Sequence, residues 1–510
     1  MYNQLSKFGL LLFAIFLTEA TKGQSFMGME GSQYAGISNV TRQPASINGQ
    51  GIRMDIILIG FDQSFTNNYV GIHRSALFSN RSTAWSDPEF KQNYLTTRNN
   101  PRNKTAYVGT DIMGPGFMMQ LSPKHAFAFG TRARSITLAH NFSAEFASLI
   151  YNEFNAPDLW TRLSNQNADV QHMSWIEYYV TYAREIYSTE QHVLRAGVTA
   201  KLLQGQLAAY MYLEDLDYEF FNAEEFALYN TTIRYGHSDN PQFANQDAPY
   251  DFEFVGKPGL GIDLGMEYEY RSKKTLENDY NNAPECGYKQ PSYQLKLAFS
   301  VTDMGAIKFN KGPYGGEFFA DRTDLSLSDF EVSSVADLDT TLRNLFEVLP
   351  YSPTFRMQLP LALNFNADYN LGKGFFANLD VMIAPRIQSN YNKVQHISRF
   401  QLTPRWDSKW FGVYVPLSVN THGNVGLGMT LRAGPLTIGT NDLTAFMGRE
   451  YIYAQDVHMA LKIPIPFNNC CGKDKSSKRK ASKPGRSRNK GGKGGVLQCP
   501  MPRSNADTKF

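Results

Sequence analysis

Long runs of strict alternation between apolar and polar residues are the feature that most limits what this 510-residue chain can fold into. In the clearest run, residues 355–369, apolar side chains occupy every second position from Phe355 to Tyr369. Polar residues such as Gln358 and Asn364 lie between them. Successive side chains of a β-strand point to opposite faces, so this run predicts a strand with one apolar and one polar face.

The same alternation recurs along the chain, in residues 194–202, 262–270, 293–301, 411–419 and 457–467. Runs of about 10–15 residues exceed the five or six usual in soluble sheets, and they match tilted strands that cross a bilayer in about 9–11 residues. A composition with 13% aromatic and 19% charged residues also favours β structure. A soluble β-sandwich or propeller is the alternative, because its strands alternate as well. Strand length and an export signal favour the membrane barrel.

Short turn sequences separate neighbouring runs, as expected for a meander of hairpins. SPKH (122–125), NLGKG (370–374) and RAGP (432–435) are predicted at one end of the strands, and long insertions at 141–171, 238–258 and 310–354 at the other. We therefore expect an all-β fold, a transmembrane antiparallel up-and-down β-barrel of about 14 strands (12–16). Residues 143–154 and 333–349 have helical periodicity, which predicts short helices in extracellular loops.

The two ends of the chain differ from the barrel region. Lys7 and the apolar run 8–17 predict a signal peptide at 1–23 that is cleaved before Gln24. We divide the rest into an N-terminal periplasmic or plug segment (24–51), the barrel (52–467) and a basic periplasmic tail (468–510). The tail holds twelve Lys and Arg against two Asp, a net charge of +10 within a chain of net charge +3. Its composition predicts disorder.

The closing run 457–467 is predicted to be the last barrel strand. The side chains expected to face lipid are Val457, Met459, Leu461, Ile463, Ile465 and Phe467. Phe467 resembles the terminal aromatic residue that barrel-assembly machinery recognises. The basic cluster that follows is Lys473, Lys475, Lys478, Arg479, Lys480 and Lys483.

VTDMGAIKF (301–309), LPLALNFNADYNLGKGFFANLD (359–380) and the segment 399–443 resemble an uncharacterised family of outer-membrane barrels in Bacteroidota. That family is distantly similar to FadL-type transporters and to the PorV-type and PorP-type barrels of type IX secretion. The sequence SNVTRQPASING, at Gln43, Pro44 and Ala45, resembles the Asn-Pro-Ala element of FadL-type barrels, with Gln43 in place of the asparagine. The resemblance implies an outer-membrane location and a candidate plug or hatch motif.

Motifs for catalysis, nucleotide binding or zinc binding do not occur in the sequence, so we expect no enzyme activity and no cofactor. What remains is a polar lumen. The candidate lumen-lining residues are Arg195, Lys201, Asp263, Glu267, Glu269, Lys296, Arg356, Asn364, Asn366 and Asp368. Charges of both signs either cross-link a closed interior or line a polar channel.

Two functions follow from these features. The first is a FadL-like transporter or channel for small, hydrophobic molecules in the outer membrane. The second is a PorV-like scaffold that transports nothing and docks a secretion or cell-surface complex. Expected partners are outer-membrane lipids, a small hydrophobic ligand and a periplasmic or secretion-system protein bound by the tail, and no nucleic acid. Ligand identity, lumen state and the disulfide state of Cys286, Cys470, Cys471 and Cys499 stay open at this point.

Overall fold

A computed structural model of the chain describes residues 28–78, 87–98, 100, 102–154, 159–240, 254–281, 292–332, 334–385, 392–444 and 446–466. The predicted signal peptide, Phe467, the basic tail and all four cysteines lie outside these ranges.

The described residues form mostly strands. The strands are β1 (Ile52–Asn67), β2 (Val70–His73), β3 (Leu95–Thr97), β4 (Lys104–Ser122), β5 (His125–Phe142), β6 (Leu163–Ser188), β7 (His192–Phe220), β8 (Glu225–Ser238), β9 (Lys257–Tyr270), β10 (Leu295–Ser326), β11 (Glu347–Leu349), β12 (Thr354–Gln358), β13 (Ala362–Gly372), β14 (Phe375–Ile383), β15 (Arg399–Asp407), β16 (Phe411–Tyr414), β17 (Leu417–Asn420), β18 (Val425–Leu427), β19 (Met429–Ala433), β20 (Leu436–Thr440), β21 (Tyr451–Ile452) and β22 (Ala454–Pro466). The helices are α1 (Arg74–Phe78), α2 (Phe90–Tyr94), α3 (Ala144–Tyr151), α4 (Lys273–Asn281) and α5 (Val335–Leu345), with 3₁₀ helices at Gly36–Asn39, Pro44–Ile47 and Leu327–Phe330.

The strands close into an antiparallel barrel, because β1 pairs with β4 on one side and with β22 on the other. Several strands share one place in the wall: β8 with β9, β11 with β12 and β13, β16 with β17, and β18 with β19. In the described part of the chain the wall therefore has 14 positions, which confirms the predicted fold. Tight turns such as 122–125 and 432–435 lie at one end, here called the short-turn end, and the longer insertions lie mainly at the long-loop end.

An exposed apolar belt surrounds the barrel and identifies it as membrane-spanning. On β22, Met459, Leu461 and Ile463 are exposed, whereas His458 and Lys462 are buried inside. The same division holds on β9, where Leu264 is exposed and Asp263 is fully buried. A soluble barrel would direct its polar face outward; this barrel directs its apolar face outward, as a lipid-facing wall requires.

The predicted loop 238–258 comes between two strands of one wall position, and its residues 241–253 lie outside the described ranges. The lower half of β7 pairs with β9 and its upper half with β8, and β8 and β9 run in the same direction. The two strands therefore form one descending wall position that is interrupted at 239–256. The prediction of an ordinary loop between hairpins is wrong because the register continues on both sides of the insertion.

The run 355–369, predicted as one uniform strand, changes face in the middle. Phe355 and Met357 are buried in the lumen, whereas Phe365 is 44% exposed on the outside. The break lies at 359–361, between β12 and β13, where the side-chain alternation reverses while the register with β10 stays the same. Arg356, predicted to line the lumen, is consequently exposed on the outer face.

Helices α3 and α5 lie at the long-loop end, near the predicted positions. The Ser143 hydroxyl accepts a hydrogen bond from Phe146 N (3.1 Å), and the Ser334 hydroxyl accepts one from Asp337 N (3.1 Å), so each helix has an N-terminal side-chain cap. Among the described residues no helix is both long and apolar enough to cross a membrane.

Candidate functional site: the barrel lumen

The N-terminal segment, residues 28–51, lies inside the barrel at its short-turn end. Ile37, Val40 and Ile47 pack against the wall residues Met118 and Ala128 in one buried apolar cluster. Gly36 and Gly49 have φ of +61° and +83°, a conformation that favours glycine. The segment fills the lumen and leaves no apolar side chain of its two 3₁₀ helices in solvent.

Gln43, Pro44 and Ala45 contact the wall where it has no side chains. A Cβ on Gly197 of β7 would lie 2.5 Å from Ala45 N and 2.6 Å from Pro44 O, too close for any real contact. The Gln43 side-chain amide donates to the carbonyls of Met266 and Phe299, each at 3.1 Å. Only glycine in the wall allows this approach.

Two arginines and two carboxylates fix the middle of the segment. Arg42 donates to Glu30 Oε1 at 2.6 Å and to Asp380 Oδ1 at 2.9 Å, and Arg399 lies 3.3 Å from Glu30 Oε1. Burial raises the pKa of Glu30, and the neighbouring Asp380 raises it further, while the two arginines oppose the shift. This ion cluster joins the segment to β14 and β15.

The first turn of the segment is held by its backbone. Gly31 O accepts hydrogen bonds from Lys296 Nζ at 2.9 Å and from Arg405 Nη2 at 3.2 Å. Arg405 also forms a fully buried ion pair with Asp368. Because carbonyls rather than side chains are recognised, the docking geometry is not visible in the sequence of the segment.

A charged layer lies above the segment, and the order of layers can be followed along β5. Ala128 contacts the N-terminal segment, Arg132 and Arg134 come next, and Ile136 and Leu138 follow. The layer consists of Asp111, Arg132, Arg134, Glu177, Lys201, Asp263 and Asp303, all of them buried.

Each cation of the charged layer contacts carboxylates. Lys201 Nζ lies 2.7 Å from Asp303 Oδ1 and 2.8 Å from Asp263 Oδ2, and Arg134 Nη1 lies 2.9 Å from Glu177 Oε1. A cavity of about 30 Å³ borders Arg42, Arg134 and Arg399, which is room for about two water molecules. The layer cross-links the wall rather than lining an open channel.

Above the charged layer the lumen becomes apolar. The inner apolar cluster consists of Tyr107, Ile136, Leu138, Met173, Trp175, Leu203, Ala208, Tyr210, Tyr212, Ile307, Phe309, Phe355, Met357, Leu359, Val394 and Ile397. Phe355 lies between Tyr210 and Phe309, with ring centroids 5.1 and 5.4 Å away. Barrel interiors are ordinarily polar, so aromatic side chains here need a separate explanation.

The segment 392–397 folds inward from the loop between β14 and β15 and joins this cluster. Val394 and Ile397 are buried in it, and Gln358 N donates to Asn392 O at 3.0 Å. His396 lies between the layers, 3.2 Å from Tyr107 OH and 3.1 Å from Arg134 Nη2. Burial lowers the pKa of His396 to about 4, so the imidazole is neutral at pH 7.

The structure separates the predicted lumen residues into groups. Arg195, Glu267 and Glu269 form one ion cluster, with Arg195 Nη1 at 3.1 Å from Glu267 and 2.8 Å from Glu269. Lys201 and Asp263 belong to the charged layer. Lys296 and Asp368 are buried at the first turn of the N-terminal segment, and Asn364 is buried beside Arg42. Asn366 is half-buried, and Arg356 is exposed on the outer face.

Sequence reasoning missed the partners of these residues. Arg132, Arg134, Glu177 and Asp303 were not singled out, although charged residues two positions apart in TRARS (131–135) indicate an inward face. Arg42 and His396 lie outside strands, where alternation gives no signal.

Fold and lumen together define a membrane-spanning β-barrel whose interior is occupied by its own N-terminal segment. The chain belongs to DUF5723, a family of unknown function, whose model matches residues 44–441. None of the curated proteins matches the chain.

Solved structures with a similar outline include the toluene transporter TbuX of Ralstonia pickettii, at 9% identity and a TM-score of 0.37, covering 88% of this chain and 100% of that one. A deletion mutant of the monoaromatic hydrocarbon channel TodX shares 8% identity at a TM-score of 0.40, covering 86% and 98% of the two chains. The translocator domain of the autotransporter NalP of Neisseria meningitidis shares 6% identity at a TM-score of 0.29, covering 81% and 88%. At such scores the barrel assignment rests on the strand pairing of the chain itself.

Proposed function

We propose that this protein is an outer-membrane transporter for small apolar molecules, described here in its closed conformation. The observation that carries the proposal is the inner apolar cluster. A barrel lumen that only has to be closed can be filled with ion pairs, as the lower half of this lumen is. The upper half instead places aromatic side chains inward, and the reversal of alternation at 359–361 is what turns Phe355 and Met357 to the lumen.

In this proposal the N-terminal segment is the plug. A solute enters from the long-loop end and moves along the inner apolar cluster. It leaves when the inward segment 392–397 and the plug shift, or sideways into the membrane between β7 and β10. Leu203 and Ile307, which belong to the cluster, lie on these two strands.

Uptake of a radiolabelled small aromatic hydrocarbon by cells that produce the protein tests the route. Met357→Trp enlarges a fully buried side chain of the cluster and should reduce uptake. Phe365→Trp is the matched control, because this side chain faces lipid in the same run. Heat-modifiable migration on gels reports whether each barrel is folded. Unchanged uptake by a folded Met357→Trp barrel would exclude the cluster as the route.

The second candidate is a docking scaffold, and the closed lumen is the observation that favours it. Ion conductance in planar bilayers, with and without residues 25–51, separates the two functions. A transporter should open more often once the segment is deleted, because the plug then no longer has to shift. Silence of both forms, together with a stable partner that co-purifies, would support the scaffold instead.

A further inference from the structure

Three cations lie side by side on the outer face of the barrel. Lys257 of β9 pairs across the sheet with Lys308 of β10, and Lys308 pairs with Arg356 of β12. All three side chains are exposed. Neighbouring strands are about 4.8 Å apart, so the three residues form a row, here called the cation row, across about 10 Å of the wall.

The cation row lies at the upper border of the apolar belt. Below it, Leu260, Ile262 and Leu264 are 75%, 41% and 46% exposed. The belt on β10 begins at Leu295, which pairs with Tyr270 and Tyr369, and extends to Ala306. The eleven residue-to-residue steps from Leu295 to Ala306, at about 3.3 Å each and tilted by about 40°, rise about 28 Å, close to the hydrocarbon thickness of a bilayer. The row is thus at headgroup depth.

The described residues provide no counter-ion for the row. None of the three cations forms an ion pair with a described carboxylate. Asp239, which is exposed nearby, contacts β10 through its backbone N–H, which donates to Asn310 O at 3.1 Å. Like charges directly opposite each other on neighbouring strands destabilise a sheet. An anion from outside the chain would remove this repulsion.

We propose that Lys257, Lys308 and Arg356 bind the phosphate groups of a phosphorylated glycolipid in the leaflet next to the long-loop end. The phosphates contact the cation row, and the acyl chains lie against Leu260 and Ile262 directly below it. Arginine and lysine are the side chains best suited to phosphate, and three cations in a row match a headgroup with more than one phosphate. This assignment is independent of transport.

Binding of bisphosphorylated lipid A to the full chain in detergent, measured by native mass spectrometry, tests the proposal. The triple variant Lys257→Gln, Lys308→Gln and Arg356→Gln should bind it at least about tenfold more weakly, because it removes all three charges that attract the phosphates. The matched control, Lys124→Gln with Arg184→Gln and Lys373→Gln, removes three exposed charges at the short-turn end and should bind as the unchanged protein does.

Lipid A without phosphates separates phosphate recognition from acyl-chain contact. It should bind weakly, and equally to the unchanged protein and to the triple variant. Equal losses in the triple variant and its control would show diffuse attraction and overturn the site. Undiminished binding by a folded triple variant, or no binding by the unchanged protein, would overturn it as well.

Discussion

Gly197→Ala is the substitution that most directly examines the seating of the N-terminal segment. The new Cβ would lie 2.5 Å from Ala45 N and 2.6 Å from Pro44 O, whereas ordinary contacts begin at 3.4 Å. Because both neighbours are backbone atoms, no side-chain rotation relieves the overlap. The segment must move by about 1 Å, which overpacking costs put at about 1–3 kcal/mol.

The same movement weakens the two hydrogen bonds of the Gln43 amide, at about 1 kcal/mol each. A loss of at least about 2 kcal/mol raises the population of the released segment about 30-fold. The barrel itself should remain intact, since Gly197 has an ordinary extended φ and pairs normally with Gly265.

Limited proteolysis at Arg42, which is 8% exposed, measures release of the segment, and single-channel recording measures the open fraction. Gly261→Ala is the matched control, because the nearest atoms to a Cβ there are side-chain carbons at 3.3–3.5 Å rather than backbone. If Gly197→Ala leaves both the cleavage rate and the open fraction of a folded barrel unchanged, the segment does not sit against β7 as described.

Three further outcomes are expected. Because burial raises the pKa of Glu30, protonation of this carboxyl favours the docked N-terminal segment. The segment should therefore be better protected from protease as the pH falls from neutral towards 4.5, and Glu30→Gln should abolish this pH dependence. Because the lowered pKa of His396 makes protonation unfavourable inside the lumen, the hydrogen-exchange protection of residues 392–397, taken relative to the intrinsic exchange rate at each pH, should fall as the pH drops from 6.5 to about 4. His396→Gln should remove that fall. Arg405→Leu should lower the free energy of unfolding in urea by about 3–5 kcal/mol, because it leaves Asp368 buried without its partner. The double variant Arg405→Leu with Asp368→Leu should recover part of this loss. Equal losses in the single and the double variant would contradict a coupled ion pair.

Alternation in the sequence was sufficient to predict an antiparallel membrane barrel of about 14 strands, because a wall between lipid and lumen needs a strict two-residue period. On β22 the large apolar residues at alternate positions, Val457, Met459, Leu461, Ile463 and Ile465, all lie on the exposed outer face. Helices α3 and α5 were also visible from sequence, since their periodicity and their capping serines are local signals.

The tertiary structure alone decided which face the residues around a break adopt. The reversal at 359–361 leaves Arg356 outward in the cation row and Met357 in the lumen, and nothing in the alternation of 355–369 marks that position. Strand β10 changes face at the same level and keeps its register with β12 and β13, and its register with β9 shifts between Val301 and Met304. Pairing among neighbouring strands, which the sequence of one run does not contain, therefore fixes where the break lies.

The contents of the lumen were likewise decided by tertiary contacts. Arg42 meets Asp380, more than 300 positions later, and Gly197 meets Pro44 and Ala45 across the barrel. The sequence by itself determined a barrel with a separate N-terminal segment. Closure of the chain into a ring determined that this segment lies inside, because only the closed wall brings the buried charges and the glycines around one lumen.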